Sequence, residues 1–553
     1  MRMTALDEYH LLDGVFSCLA ALDLADKVSV EVRRSPQPVR DLTLFCNAPA
    51  AEVAALAAAL VQCPDISEVG AGGRKISVRF RDEAVLRAGE AIEHGSLPLA
   101  GTRAPRIIFV GFLGPNLSKA LHVGHLRNIV LGNACAAMLR AAGHKVCAYS
   151  LVGDIGRNVC EAMAGWRLLD AEQRADLAGL KSDQRIGFCY RAYLDSSADR
   201  REAPPSEPCH RELVPVADDA DRLLQLWRAR DPDTIALWRR ICADVERGHD
   251  ETLHRLGIRV DRAWRESDHV DAACALVERG LAQGHCVRDA TGMTFHETGL
   301  EQYPKLVLAR ADGFPTEHAR VIAIFDRVLG DAGPCDHIDW NGTEWEPAQR
   351  AMALLMKALG LGDAASVHRP EFHGMVIVDG AELSSSRGDP PLVDHLLDRL
   401  VQSPEIGRIA GPCEGRVDRA DLAALVLKSY FLCAAPTKPL DFSWRRLMQV
   451  EANPGWTIAR AWARAAMAAE ADQEKEPAAG YRTSVLQAAS LRRDIEFAAT
   501  NVRLTGITSF LVKFSERLVT EPACPRLDRL AKTAMKSSLS TLGLLPLPAD
   551  RDL

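Results

Sequence analysis

The chain has 553 residues, 47% hydrophobic and 25% charged, with a formal net charge of −7. That length allows several domains, and the balance is that of a globular protein with substantial cores. The mild acidity excludes a general polyanion-binding field, so any contact with nucleic acid needs a local basic patch.

In chain order, Met1 to Leu24 mixes charged and apolar residues and lacks the apolar centre of a secretory leader, and no run of about 18 apolar residues reads as a membrane span. The 15 cysteines are scattered singly, with no Cys-x-x-Cys spacing, so neither a zinc site nor a disulfide framework is expected. Free thiols fit a reducing compartment, and a cytoplasmic monomer is the expectation.

Residues 1–104 read as a small α+β unit, with a helix over Ala50–Val61, a Gly-rich turn at Gly70–Gly73 and a strand over Lys75–Phe80. A Gly/Pro/Ala linker follows at Leu97–Pro105. Residues 105–410 read as the central α/β domain, a doubly wound parallel sheet. It opens with an apolar strand, Arg106–Phe112, a loop with Gly114-Pro115-Asn116, a helix from Val123 to about Ala142 ending at Gly143, and a second strand, Lys145–Leu151. The charged segment from about Trp166 to Leu256 reads as a helical insertion broken at Pro204–Pro208, and the sheet pattern resumes at Gly374–Val378. Residues 411–553 read as an all-helical bundle with breaks at Pro436, Pro454 and Pro525.

The chemistry is concentrated in Pro115-Asn-Leu-Ser-Lys-Ala-Leu-His-Val-Gly-His-Leu-Arg127, between a strand and the start of a helix. An open α/β sheet binds ligands there, and free N–H groups at a helix N-terminus favour anions. His122 and His125 fall on one side of the helix start, Gly124 lets a nucleotide approach, and Lys119 supplies a cation for charge developing on a leaving phosphate. No third metal ligand accompanies the histidines.

This string, with Gly132, Gly143 and Gly153-Asp-Ile-Gly156, resembles the arginyl-tRNA synthetases of class I. The resemblance implies that His122, Gly124 and His125 bind ATP, that Lys119 supports its phosphates, and that Asn116 and Asp154 hold the amino acid's backbone groups. Lys305–Asp326 would line the amino-acid pocket. Glu382-Leu-Ser-Ser-Ser-Arg-Gly388 falls where the family has its Lys-Met-Ser-Lys-Ser loop, so Ser384, Ser385 and Ser386 would close over ATP while Arg387 stabilises the leaving group. Ile66–Leu86 resembles a shortened tRNA-contacting domain, and Leu440–Trp444 with Asn453 and Ala461–Arg464 resembles the start of the anticodon-binding bundle.

Departures from the family pattern set the remaining expectations. Gly111 stands where the family has a glutamate, and Glu317 and Val321 align with its Tyr-x-x-x-Asp pair, which grips the guanidinium. Two carboxylates are thereby missing, which favours a neutral amino acid unless Glu317 and Glu344 point inward and restore the charge. Both lysines of the signature loop are absent and Glu382 adds a negative charge, leaving Lys119, Arg127 and Arg387 as cations for ATP. Trp456–Arg460 replaces the family's tyrosine-bearing helix, so anticodon reading by stacking is weakened, with Arg460, Arg464, Arg492 and Arg493 as remaining phosphate contacts.

The expected function is ATP-dependent activation of an amino acid, with magnesium accompanying ATP, and transfer to a small-molecule amine or an unusual tRNA in specialised biosynthesis. A divergent arginine–tRNA ligase and a catalytically silent regulatory or tRNA-binding paralogue are the alternatives.

Overall fold

The computed structural model describes residues 11–24, 27–32, 41–95, 97, 105–196, 219–361, 367–378, 381–382, 390–413, 415–468 and 480–545. Most of the linker at Leu97–Pro105, the break at Pro204–Pro208 and the loop residues Ser384–Arg387 lie outside the described residues.

Strands β1 (Val28–Val32), β2 (Leu42–Cys46), β3 (Ile66–Gly72) and β4 (Lys75–Phe80) form an antiparallel sheet in the order β1-β2-β4-β3. The expected helix Ala50–Val61 and strand Lys75–Phe80 are both present. The Gly-rich turn is tighter than its composition implies. Gly70 and Gly72 stay extended and paired with Ser77 and Lys75, and the chain reverses only at Gly73, where φ is +59°. Helix Asp82–Glu93 packs on the C-terminal helices Tyr481–Asn501 and Pro525–Thr541. Arg482 bonds Asp41 at 2.8 Å and Arg529 bonds Glu93 at 2.9 Å, tying the leading unit to the bundle.

The remaining strands are β5 (Ile107–Leu113), β6 (Lys145–Val152), β7 (Arg262–Arg265), β8 (Val287–Arg288), β9 (Thr294–Glu297), β10 (Lys305–Ala309), β11 (Asp336–Gly342), β12 (Val367–His373), β13 (Val376–Val378), β14 (Ala381–Glu382) and β15 (Leu440–Phe442). Five of them make a fully parallel central sheet in the order β12-β11-β5-β6-β7. From β5 the chain winds one way through β6 and β7, then crosses back to place β11 and β12 on the other side. The topological switch point therefore lies between β5 and β11, and the crevice beyond their carboxyl ends is where such a sheet takes a ligand. Helix Val123–Ala141 connects β5 to β6, is buried along most of its length, and is followed by Gly143 at φ +91°.

The crossover from β6 to β7 carries the expected helical insertion. Helices Arg157–Leu168, Ser182–Ser196, Asp219–Arg228 and Pro232–Leu256 enclose their own core around Met163, Ile186, Leu224 and Val245. The sheet does not resume at Gly374–Val378 as its apolar run implies. Strand β13 pairs instead with β14 and β15 in a separate small sheet, and the central strands are β11 and β12. At Gly374, between β12 and β13, the chain approaches the Lys438–Pro439 backbone so closely that a Cβ would collide with it. β15 also interrupts the otherwise helical C-terminal region. Pro454 and Pro525 begin helices rather than break them, each in the first turn where no N–H is needed. No helix among the described residues is long and apolar enough to cross a membrane.

Candidate active site

A cleft of about 200 Å³ opens at the carboxyl ends of β5, β6 and β11. Gly124 and His125 line one side, Phe112–Pro115 the strand end, and Glu266, Glu317, Val321, Asp339, Glu344 and Gln349 the rest. Glu317 and Val321 stand one turn apart on the helix Glu317–Ala332, which presents both to the cleft as its spacing implies. Among the described residues no lysine or arginine lines it.

At the helix start, the expected association of His122 with His125 holds, with ring centroids 3.8 Å apart. The two rings cap the helix reciprocally. His122 Nδ1 accepts from Gly124 N–H at 3.1 Å, and His125 Nδ1 accepts from His122 N–H at 3.3 Å. A nitrogen accepting an N–H carries no proton, so the proton of each neutral ring is on Nε2. Burial first, and then the Lys119 charge and the neighbouring imidazoles, push both pKa values down, His122 to about 3. At neutral pH the pair is thus uncharged and offers two Nε2–H donors. The N–H groups expected to cradle phosphate are already used: Val123 N–H bonds Pro391 O at 2.9 Å, and those of Gly124 and His125 bond His122. That leaves the two Nε2–H groups as the ring donors at this helix start. Lys119 is held through its carbonyl, which bonds His249 Nε2 at 2.9 Å.

Pro391 belongs to the segment just after the signature loop. Val393 N–H also bonds Leu121 O at 3.0 Å, so 391–393 is stitched antiparallel to 121–123. The helix Val393–Val401 is further anchored through Asp394, which bonds Lys181 and Arg255 at 2.7 Å each. Residues 391–393 are therefore fixed beside His122. Ser384, Ser385, Ser386 and Arg387 themselves, and the Glu382 side chain, fall outside the described residues.

Several expectations are corrected. Arg127 is not available to phosphate: it is fully buried and its guanidinium donates to the carbonyls of Gly374, Lys438, Ala435 and Pro436 at 2.6–3.1 Å. Asp154 does not face the cleft. Its carboxylate accepts from the Ser267 N–H (2.9 Å) and hydroxyl (2.6 Å), beside a second cavity lined by Trp227, Trp238 and Arg265. Asn116 is held in a parallel bridge to Gly153, outside the cleft lining, as are Lys119 and His122. In the bundle, Trp456 is buried and donates to Leu447 O at 3.0 Å. Arg460 pairs with Glu405, and Arg464 bonds Asp528 at 2.8 Å and the carbonyl ending helix Thr505–Thr520, so neither is a free phosphate contact. The side chains of Arg492 and Arg493 lie outside the described residues.

The sequence reading missed Asp339, whose strand is the neighbour of β5. Gly111 pairs with Tyr149 on one side and Asp339 on the other, and a Cβ there would meet both side chains. The glycine opens the space in which the Tyr149 hydroxyl reaches Asp339 Oδ1 at 3.3 Å. Asn341 and Gln349 donate to Asp339 Oδ2 at 2.8 and 3.1 Å. Burial pushes the carboxyl up to about 6 against these three hydrogen bonds. The available signal was the alternation His337, Asp339, Asn341 within a central buried strand, where polar residues need a purpose.

Residues 91–314 match the family model described as tRNA synthetases class I (R), catalytic domain. An arginine–tRNA ligase of Amoebophilus asiaticus is 28% identical over 341 residues, covering 60% of this chain and 57% of that protein. One of Bacteroides fragilis is 27% identical over 379 residues, covering 66% and 63%. The chain thus spans about three fifths of the length of the curated relatives it matches. The arginyl-tRNA synthetase structure of Thermus thermophilus superposes with a TM-score of 0.65 at 19% identity, over 98% of this chain and 99% of that one. That of Plasmodium falciparum does so at 0.66 and 13% identity, over 97% of both. These two are likenesses of fold.

Proposed function

We propose, from the premise that this chain belongs to the arginyl-tRNA synthetase family, that it is an ATP-dependent aminoacyl ligase whose cleft takes a cationic amino acid. The substrate carboxylate attacks the α-phosphorus of ATP, forming the mixed anhydride and breaking the bond to the β-phosphate, so pyrophosphate leaves. The His122 and His125 Nε2–H groups and the Lys119 ammonium stabilise charge on the phosphates. Among the described residues no group of three or more His, Cys, Asp or Glu side chains fits a metal ion, so magnesium would travel on the nucleotide's phosphates.

The observation that carries the substrate reading is the cleft lining: four carboxylates, Glu266, Glu317, Asp339 and Glu344, and, among the described residues, no lysine or arginine. Arg320 neutralises Glu266 from behind at 2.6 Å. A neutral substrate would leave the buried Asp339 carboxylate facing an apolar side chain, at the cost of a buried charge without a cation. The preference for a neutral amino acid rested on Gly111 and Val321, and it gives way because Glu317 and Glu344 both line the cleft.

The acyl acceptor in this reading is the 3′ end of a tRNA, and the enzyme works as a cytoplasmic monomer. A second reading, a small-molecule amine acceptor in specialised biosynthesis, draws on the bundle, where Trp456 is buried and Arg460 and Arg464 are engaged within the protein. ATP–pyrophosphate exchange across the twenty amino acids, with and without tRNA, tests both. Exchange with arginine or lysine that requires tRNA is the expected result. Exchange with a neutral amino acid alone overturns the substrate reading, tRNA-independent exchange favours the amine acceptor, and none at all would mark a silent paralogue.

A pH dependence follows. The cation needs Asp339 ionised, and its carboxyl titrates at about 6. Of the groups around it, His337 and His368 are pushed below their usual range and stay neutral, Tyr149 is pushed above its own, and Glu344 is raised by burial. KM for the amino acid should therefore rise by up to about tenfold per unit as pH falls below about 6, and level off above 7. For stability the sign is opposite. The native carboxyl holds its proton longer than the unfolded one, so this group's stabilising contribution is present below the unfolded value and lost as pH rises through about 6.

A further inference from the structure

The leading unit holds a pair of thiols outside the cleft, none of whose described lining residues comes from that unit. Cys18 and Cys63 are both free and half-buried, and their Sγ atoms lie 3.5 Å apart although 45 positions separate them in the chain. Gly14 and Cys18 stand one turn apart on the helix Asp13–Ala21, so they share a face. Cys63 follows the end of the helix Ala50–Val61, and its backbone is held on both sides. Its N–H bonds Leu60 O and its carbonyl accepts from Ile66 N–H, each at 3.1 Å. Without a side chain at Gly14, the Cys63 sulfur settles against that turn. A Cβ on Gly14 would already touch the sulfur at 3.5 Å.

Little else holds these sulfurs in place. The Cys63 thiol has only the carbonyls of Gly14 at 3.6 Å and Ala59 at 3.8 Å as acceptors, and a thiol is a weak donor. Among the described residues no group of three or more metal-ligating side chains includes either cysteine. A disulfide joins its sulfurs at about 2.05 Å, so the pair must close by roughly 1.5 Å. Swinging the two side chains toward one another supplies that movement. Half-burial leaves the pair within reach of a small oxidant.

We propose that Cys18 and Cys63 form a reversible disulfide when the protein meets a peroxide, fastening the helix Asp13–Ala21 to the end of the helix Ala50–Val61. The Cys18 sulfur gives up its proton and attacks one oxygen of hydrogen peroxide. The O–O bond breaks, Cys18 becomes a sulfenic acid, and the departing hydroxide takes the proton as water. The Cys63 sulfur then attacks the Cys18 sulfur. The S–O bond breaks, and hydroxide leaves with the Cys63 proton as a second water. Two thiols have lost two electrons to the peroxide, and an added dithiol returns them by exchange. The order follows from the surroundings. Burial first, then the Cys18 thiol and the Asp65 carboxylate, push the Cys63 thiol up to about 11, so it keeps its proton and enters second. The loop that the bond closes carries β1, β2 and the helix Ala50–Val61, so oxidation restrains much of the leading unit. Nothing in this depends on which amino acid the cleft takes.

The test treats the unaltered full-length protein, Cys18→Ser and Cys63→Ser with hydrogen peroxide and maps non-reduced peptides by mass spectrometry. The expected product in the unaltered protein is a peptide pair joining Cys18 to Cys63, absent from both variants and lost on adding dithiothreitol. Amide hydrogen exchange in the helix Asp13–Ala21 should slow at least about tenfold on oxidation, in the unaltered protein alone. Several results overturn the assignment: both thiols still free after the half-buried Cys147 and Cys274 have oxidised, recovery of either as sulfinic or sulfonic acid without a linked pair, or linkage to a different cysteine. A linked pair with unchanged amide exchange overturns the fastening of the two helices. Should a serine variant fail to fold, the peptide map of the unaltered protein decides, since it needs no substitution.

Discussion

Replacing His125 with alanine is expected to lower ATP–pyrophosphate exchange by about 10²- to 10³-fold while leaving the protein folded. Its ring lies at the third position of the helix Val123–Ala141 and lines the cleft. With Nδ1 committed to the His122 N–H, only Nε2–H can meet a phosphate oxygen, and it does so as a neutral donor because burial pushes the pKa far down. Loss of one preorganised donor to charge developing in a transition state costs about 2.7–4 kcal/mol, which gives the stated range. The same substitution removes one half of the reciprocal cap, a loss of about 1 kcal/mol in stability. Thermal unfolding measured beside exchange separates the two effects. A His125→Gln variant should recover part of the rate, since its amide can still donate. Full activity in the alanine variant would remove the phosphates from this end of the cleft.

The second large effect lies at Arg127. In the sequence it looks like one more cation beside the nucleotide, but the folded protein uses it as a rivet. Its guanidinium meets four main-chain carbonyls, just after β12 and in the segment leading into β15. Burial without a carboxylate partner drags its pKa down to about 10, so the charge is retained at neutral pH by those four dipoles. Arg127→Met should cost about 3–5 kcal/mol, because the carbonyls are left buried and unmet. Urea unfolding should shift accordingly, and limited proteolysis should cut first around 435–438. Exchange per folded molecule should change little. An unaltered unfolding midpoint with exchange abolished would return Arg127 to the phosphates.

These two residues sit two positions apart in one motif, and they divide what could be read early from what could not. Strand β5, the helix Val123–Ala141 and strand β6 were legible because their signals are local: an apolar run, a helical period, and Gly143 as a stop. The pairing of His122 with His125 was legible for the same reason. The use of Arg127 was not, since its partners lie 247 to 311 positions away along the chain. The same holds for Asp339, which meets Gly111 only through the register of β11 beside β5. A glycine that read as a lost glutamate is, in the sheet, the space into which a tyrosine and an aspartate from neighbouring strands converge.

By itself the amino-acid order determined the class of fold, the position of the helix Val123–Ala141 and the residues at its start, because periodicity, capping and turn chemistry act over a few residues. Tertiary structure alone decided which carboxylates line the cleft and that Arg127 is taken up by main-chain carbonyls. Both depend on which side chains meet across strands far apart in sequence, and on how completely burial and hydrogen bonding use up each donor and acceptor.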